Sequence, residues 1–104
     1  MRRAEFQAVY EKGFRFSGPY FAAVCLKVAG QGRAKLGFAA PKSLGKSVVR
    51  NRLRRRLREA IRLSLSRLAP EWAVVVQVRR GAMNAPPADL EKEVERLFAR
   101  CARS

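Results

Sequence analysis

The run Trp72-Ala73-Val74-Val75-Val76-Gln77-Val78 constrains this chain more than any other stretch. Valine-rich and apolar at both odd and even positions, it reads as a strand whose two faces are both buried. Such a strand needs a sheet around it and cover above and below. With 104 residues, the chain has room for one modest core, so residues 1–104 are read as a single domain whose own helices supply the cover.

The other elements follow from periodicity and punctuation. Arg3 to Lys12 is predicted as a short helix, with Phe6, Val9 and Tyr10 on one face and Gly13 closing its end in a left-handed conformation. Phe14 to Pro19 is expected to be extended and then to turn at Ser17-Gly18-Pro19. Phe21 to Val28 alternates as a strand, Ala22, Val24, Leu26 and Val28 on one side and Phe21, Ala23, Cys25 and Lys27 on the other. Gly30-Gln31-Gly32 reads as a hairpin-like link into a second strand, Ala34 to Ala40, ended by Pro41. Lys42 to Lys46 is a basic loop. Ser47 is the expected N-cap of a long helix reaching about Leu68, before Pro70. A loop of turn formers spans Gly81 to Pro87. The last helix runs from about Ala88 to Ala102, with Leu90, Val94, Leu97, Phe98 and Cys101 as its apolar stripe. Its acids precede its bases, as the helix dipole favours. The order helix, strands, helix, strand, helix describes an α+β domain, a small sheet packed with three helices.

Charge narrows the function. The 23 Lys and Arg against 8 Asp and Glu give a formal charge of +15. Twelve of those cations lie between Arg33 and Arg67, where Glu59 is the only acid. A solvated helix face would mix signs, whereas this concentration points to a polyanion, with nucleic acid ahead of a membrane surface. Arginine outnumbers lysine 17 to 6, and its planar fork suits phosphate. Within the long helix, Val49, Leu53, Leu57, Ala60, Ile61, Ser64 and Leu68 line the core side. Arg54, Arg58 and Arg62 form one flank, Arg52 and Arg56 the opposite one, and Arg55 points outward. Asn51 either reads a base edge or braces the helix start. Phe6 and Tyr10 either anchor the first helix or stack on single-stranded bases.

Catalytic chemistry has little to draw on. The absence of His removes imidazole metal sites, His general bases and Ser-His triads. Cys25 and Cys101 form no metal-spacing motif and read as two buried thiols, one disulfide being formally possible. No segment approaches a membrane span and the start lacks an apolar signal core, so the expected compartment is the cytoplasm.

Residues 42–59, Lys42-Ser43-Leu44-Gly45-Lys46-Ser47-Val48-Val49-Arg50-Asn51-Arg52-Leu53-Arg54-Arg55-Arg56-Leu57-Arg58-Glu59, closely resemble the signature of the bacterial ribonuclease P protein subunit. Glu5-Phe6-Gln7-Ala8-Val9-Tyr10-Glu11-Lys12-Gly13 resembles that family's first helix, and Leu36-Gly37-Phe38 its strand before the basic loop. The resemblance implies an α+β subunit with a left-handed βαβ crossover. It implies as partners the catalytic RNA of ribonuclease P and the 5′ leader of precursor tRNA, with no membrane and a monomer when free. Magnesium would sit on the RNA and no cofactor on the protein, which would hold no catalytic residue. The RNA-binding loop and helix would comprise Lys42, Lys46, Arg50, Asn51, Arg52, Arg54, Arg55, Arg56, Arg58 and Arg62. A leader cleft would comprise Phe6, Tyr10, Ala22, Val24, Ala39, Arg50, Asn51, Arg55 and Arg58, which turns Phe6 and Tyr10 from anchors into stacking residues. Two other readings stay open on the residues alone. One is a ribosomal or general RNA-binding scaffold. The other is a protein-only nuclease drawing on Asp89, Glu91, Glu93 and Glu95, acids whose place at a helix start already has a structural use.

Overall fold

A computed structural model describes residues 3–104. Helix α1 (Arg3–Lys12) leads into strands β1 (Phe14–Ser17), β2 (Phe21–Lys27) and β3 (Lys35–Ala39). A 3-10 turn over Lys42–Leu44 precedes helix α2 (Ser47–Arg62), and another over Leu65–Arg67 follows it. Strand β4 (Trp72–Val78), a 3-10 turn over Arg80–Met83 and helix α3 (Pro87–Ala102) complete the chain. The result is the expected α+β layering, three helices on a four-stranded mixed sheet.

The sheet order is β1-β2-β4-β3. β2 pairs antiparallel with β4 and β3 pairs parallel with it, so the segment through Gly30-Gln31-Gly32 is not a hairpin link. The physical reason lies in β4 itself. Trp72, Val74, Val76 and Val78 enter the larger core beneath α2 and α3, and Ala73 and Val75 enter a smaller one beneath α1. Only a central position buries both sets. β3, with Lys35 exposed, takes the edge instead. Each large apolar side chain so buried is worth roughly 1.5–3 kcal/mol, which makes the central placement of β4 the strongest single constraint on topology.

Three boundary expectations need correction. Gly13 does not take a left-handed conformation, since among the described residues positive φ occurs only at Gly30 and Gly45. Its side chain is missing for want of space: a Cβ there would lie 2.6 Å from the Val9 carbonyl oxygen and 2.7 Å from that of Cys25. Ser47 is the first residue of α2, not its cap. The cap is Lys46, without a side-chain hydrogen bond. α2 also stops at Arg62, not near Leu68, because the chain has to reverse before it enters β4 at Trp72. The break comes at Ser64, yet the following 3-10 turn still delivers Leu68 to the core.

α3 is fixed by its predicted stripe and by one residue assigned a different role. Glu93, one of the acids that suit the helix dipole, is 2% exposed, and its Oε2 accepts the backbone N–H groups of Tyr20 (3.1 Å) and Phe21 (3.0 Å). Gly18 makes room for it, since a Cβ there would lie 2.2 Å from Glu93 Oε1. Cys25 and Cys101 are buried free thiols. The hydrogen bond between them, then burial, holds the Cys25 thiol above its usual range. No described helix is long and apolar enough to cross a membrane.

Candidate nucleic-acid interface

α2 carries the basic signature on a rigid frame. Leu53, Leu57, Ala60 and Ile61 are buried against the sheet, which fixes the helix's rotation and so the direction of every arginine. Gly45 adopts φ 128°, a value that suits glycine, and lets the loop turn directly into the helix. Arg80 donates to the Ser43 carbonyl at 2.8 Å, pinning the loop to the 3-10 turn that follows β4.

The predicted RNA-binding residues then divide by what holds them. Lys42, Lys46, Arg52 and Arg55 are exposed. Arg58 lies over the Phe38 ring at 5.4 Å, a cation–π contact that holds its guanidinium above β3. Arg54 donates to Asn51 Oδ1 at 3.0 Å, so Asn51 braces the second turn of the helix. Arg50 reaches Ser47 Oγ at 3.4 Å, while its Nε is buried without an acceptor. Arg62 pairs with Glu59 at 2.9 Å. Among the described residues, none of the other basic side chains in this group is ion-paired.

Arg56 is different. Its guanidinium donates to the carbonyls of Ala82 (3.0 Å), Met83 and Ala85, so its fork is spent on the turn before α3 and is not free for phosphate. We predict that Arg56→Ala costs about 2 kcal/mol of stability, and that Arg56→Lys, a point charge unable to span three acceptors, restores only part of it. Urea melts of the three proteins would measure this. Equal stability with weakened RNA binding would return Arg56 to the interface.

The predicted cleft residues are also partitioned. Phe6 and Tyr10 project from α1 onto the second face of the sheet, both half-buried. Phe6 packs on β3 where only glycine fits: a Cβ on Gly37 would lie 2.6 Å from its ring. Beside them opens a shallow cavity of about 480 Å³ lined by Ala22, Ala39, Ala40, Pro41, Gln77 and Arg79, among others. Val24, expected in the cleft, is 1% exposed beneath α1 with Val9 and Val75, and presents no surface to a ligand. Arg55 lines a separate groove between α2 and α3, next to Leu63 and Glu91, and is not brought to this cavity. Gln77 was missed. It donates to the Tyr10 hydroxyl at 3.2 Å and so sets the phenol at the cavity rim. Its signal was available: one amide in an otherwise apolar strand.

The arrangement offers an anion surface of preorganised arginines and, on the adjoining sheet face, an open cavity with aromatic residues beside it. Comparison with known proteins follows the same lines. The family described as Ribonuclease P matches residues 1–102. The ribonuclease P protein component of Symbiobacterium thermophilum is 41% identical over 98 residues, covering 94% of this chain and 85% of that protein. That of Desulfosudis oleivorans is 33% identical over 103 residues, covering 99% and 84%. Among solved structures, the RNase P protein from Thermotoga maritima superposes with a TM-score of 0.83 at 22% identity, covering 96% of this chain and 94% of that one.

Proposed function

From a chain that belongs to the ribonuclease P protein family, we propose a specific division of labour within ribonuclease P, whose RNA is its partner. This protein serves as the non-catalytic subunit of that endoribonuclease. The 3-10 turn and α2 hold the catalytic RNA, and the α1 face of the sheet holds the 5′ leader of precursor tRNA in extended form. Catalytic magnesium belongs to the RNA. The free protein is a cytoplasmic monomer and residues 1–104 act as one RNA-binding domain. The observation that carries this reading is the set of α2 cations without carboxylate partners, together with the open cavity on the other face of the sheet, where Gln77 holds the Tyr10 hydroxyl. The lack of histidine leaves the chain without an imidazole general base of its own.

The mechanism is electrostatic. Two polyanions, the catalytic RNA and its substrate, repel each other. A body of charge +15 placed between them lowers that repulsion and with it the magnesium needed for substrate binding. The test is precursor-tRNA cleavage at low magnesium with bacterial ribonuclease P RNA alone, protein alone, and both. We expect efficient cleavage, yielding the tRNA 5′ end, only in the mixture. A mixture no better than RNA alone would favour a general RNA scaffold, and cutting by protein alone would reveal a nuclease.

Stacking on the leader gives a second expected outcome. Base–aromatic stacking is worth about 1–3 kcal/mol, so Phe6→Ala should cut the preference for leader-bearing over leaderless tRNA on the order of tenfold. Arg58→Ala should weaken it less, through charge alone. Unchanged preference in both variants would leave Phe6 as an anchor on Gly37.

A further inference from the structure

A second cluster of arginines lies away from α2. Arg15 of β1, Arg96 and Arg100 of α3 and Arg103 just past its end line one groove of about 450 Å³, with Phe16, Ser17 and Ala99 between them. All four arginines are exposed, and among the described residues none forms an ion pair. Arg100 is laid over the Phe14 ring at 5.2 Å, which orders its guanidinium at the groove. The helix dipole accounts for cations in the last turn of α3, at a few tenths of a kcal/mol each. It does not account for Arg15, which comes from an edge strand, nor for four like charges gathered around one depression with only the buried Glu93 carboxyl near one of them, Arg96.

The groove and the α2 surface sit over opposite edges of the sheet. β1 and β3 are its outer strands, and three strand spacings place them about 14 Å apart. Arg58 marks the β3 side through Phe38, and Arg100 marks the β1 side through Phe14. We propose that the Arg15–Arg96–Arg100–Arg103 groove is a second phosphate-backbone site. In it a segment of the ribonuclease P RNA binds, distinct from the one held by α2, so that the protein clamps two RNA segments across its sheet. The inference rests on the RNA-binding reading above. Its chemistry is that of arginine with phosphodiester oxygens, paired by forked hydrogen bonds.

The assembled RNA–protein complex provides the test. A hydroxyl-radical-generating probe is attached through Ala99→Cys, in the groove, or through Ser43→Cys, on the loop before α2. The two native thiols are buried and stay unlabelled. We expect the two probes to cut separate segments of the RNA. In parallel, Arg15→Gln/Arg103→Gln should lower the steepness of log affinity against log salt by about 1.5 and weaken binding at least tenfold near physiological salt. Both residues are exposed and a thermal melt should not shift. If the Ala99→Cys probe cuts nothing, or only the segment cut from Ser43→Cys, the second site is overturned while the α2 interface stands. If neither probe cuts, the RNA-binding reading itself fails.

Discussion

Raising monovalent salt from about 50 to about 200 mM is expected to weaken binding to ribonuclease P RNA on the order of a thousandfold. The magnitude comes from counting the cations that are free to displace counterions. Among the described residues, Lys42, Lys46, Arg50, Arg52, Arg55 and Arg58 have no carboxylate partner, whereas Arg54 is turned onto Asn51, Arg62 is held by Glu59 and Arg56 by loop carbonyls. Six phosphate contacts give log affinity a slope of about −5 against log salt. Arg52→Gln should then flatten the slope by about one unit, and Arg62→Gln by less, because Glu59 already offsets its charge. Fluorescence anisotropy with labelled RNA over a salt series measures all three. A wild-type slope shallower than about −2 would mean that contacts other than phosphate pairing carry the affinity, and the electrostatic mechanism would fall with it.

What made these cations readable from sequence is that their directions depend on local order alone. Leu53, Leu57 and Ile61 repeat at helical spacing, so once they face the core the arginines between them have no other place to go. β4 was legible for a similar reason, since a seven-residue run apolar on both faces, Gln77 aside, reads as a covered strand. The path from β2 to β3 was not legible. A Gly-Gln-Gly link between two strands suits a hairpin, and only competition for the centre of the sheet decides otherwise. The contacts of Arg56 were equally hidden, because its acceptors lie 26 or more residues away and offer backbone carbonyls, which every residue has. Val24 shows the opposite error. Its strand face was read correctly, but that face is divided between a part sealed by α1 and a part left open beside it, a division the alternation of one strand cannot reveal.

Glu93 is the position where the fold itself has most to lose. Its carboxylate reaches across 72 and 73 residues of sequence to hold the N–H groups of Phe21, the first residue of β2, and of Tyr20 just before it. Glu93→Ala leaves both donors without an acceptor in a buried setting, at about 1–3 kcal/mol each. We expect a loss of about 4 kcal/mol, a large share of the margin of a domain this size and more than 15 °C in melting temperature. Glu93→Gln keeps an acceptor oxygen and should cost under about 1 kcal/mol at neutral pH. The two variants also separate by pH. Burial pushes the Glu93 carboxyl above its ordinary value, and the N–H groups of Tyr20 and Phe21, with Arg96 and Arg79 nearby, offset this only in part. A folded carboxyl that binds its proton more tightly than the unfolded one stabilises the fold at low pH and loses that contribution as pH rises through the raised value. Wild type should therefore gain stability relative to Glu93→Gln as pH falls from the raised value toward about 4.3, the ordinary glutamate range. Parallel urea melts of the two proteins at closely spaced pH would measure the difference. A constant gap across that window would show that the burial of the charge costs nothing, and that Glu93 is held in place by its hydrogen bonds alone.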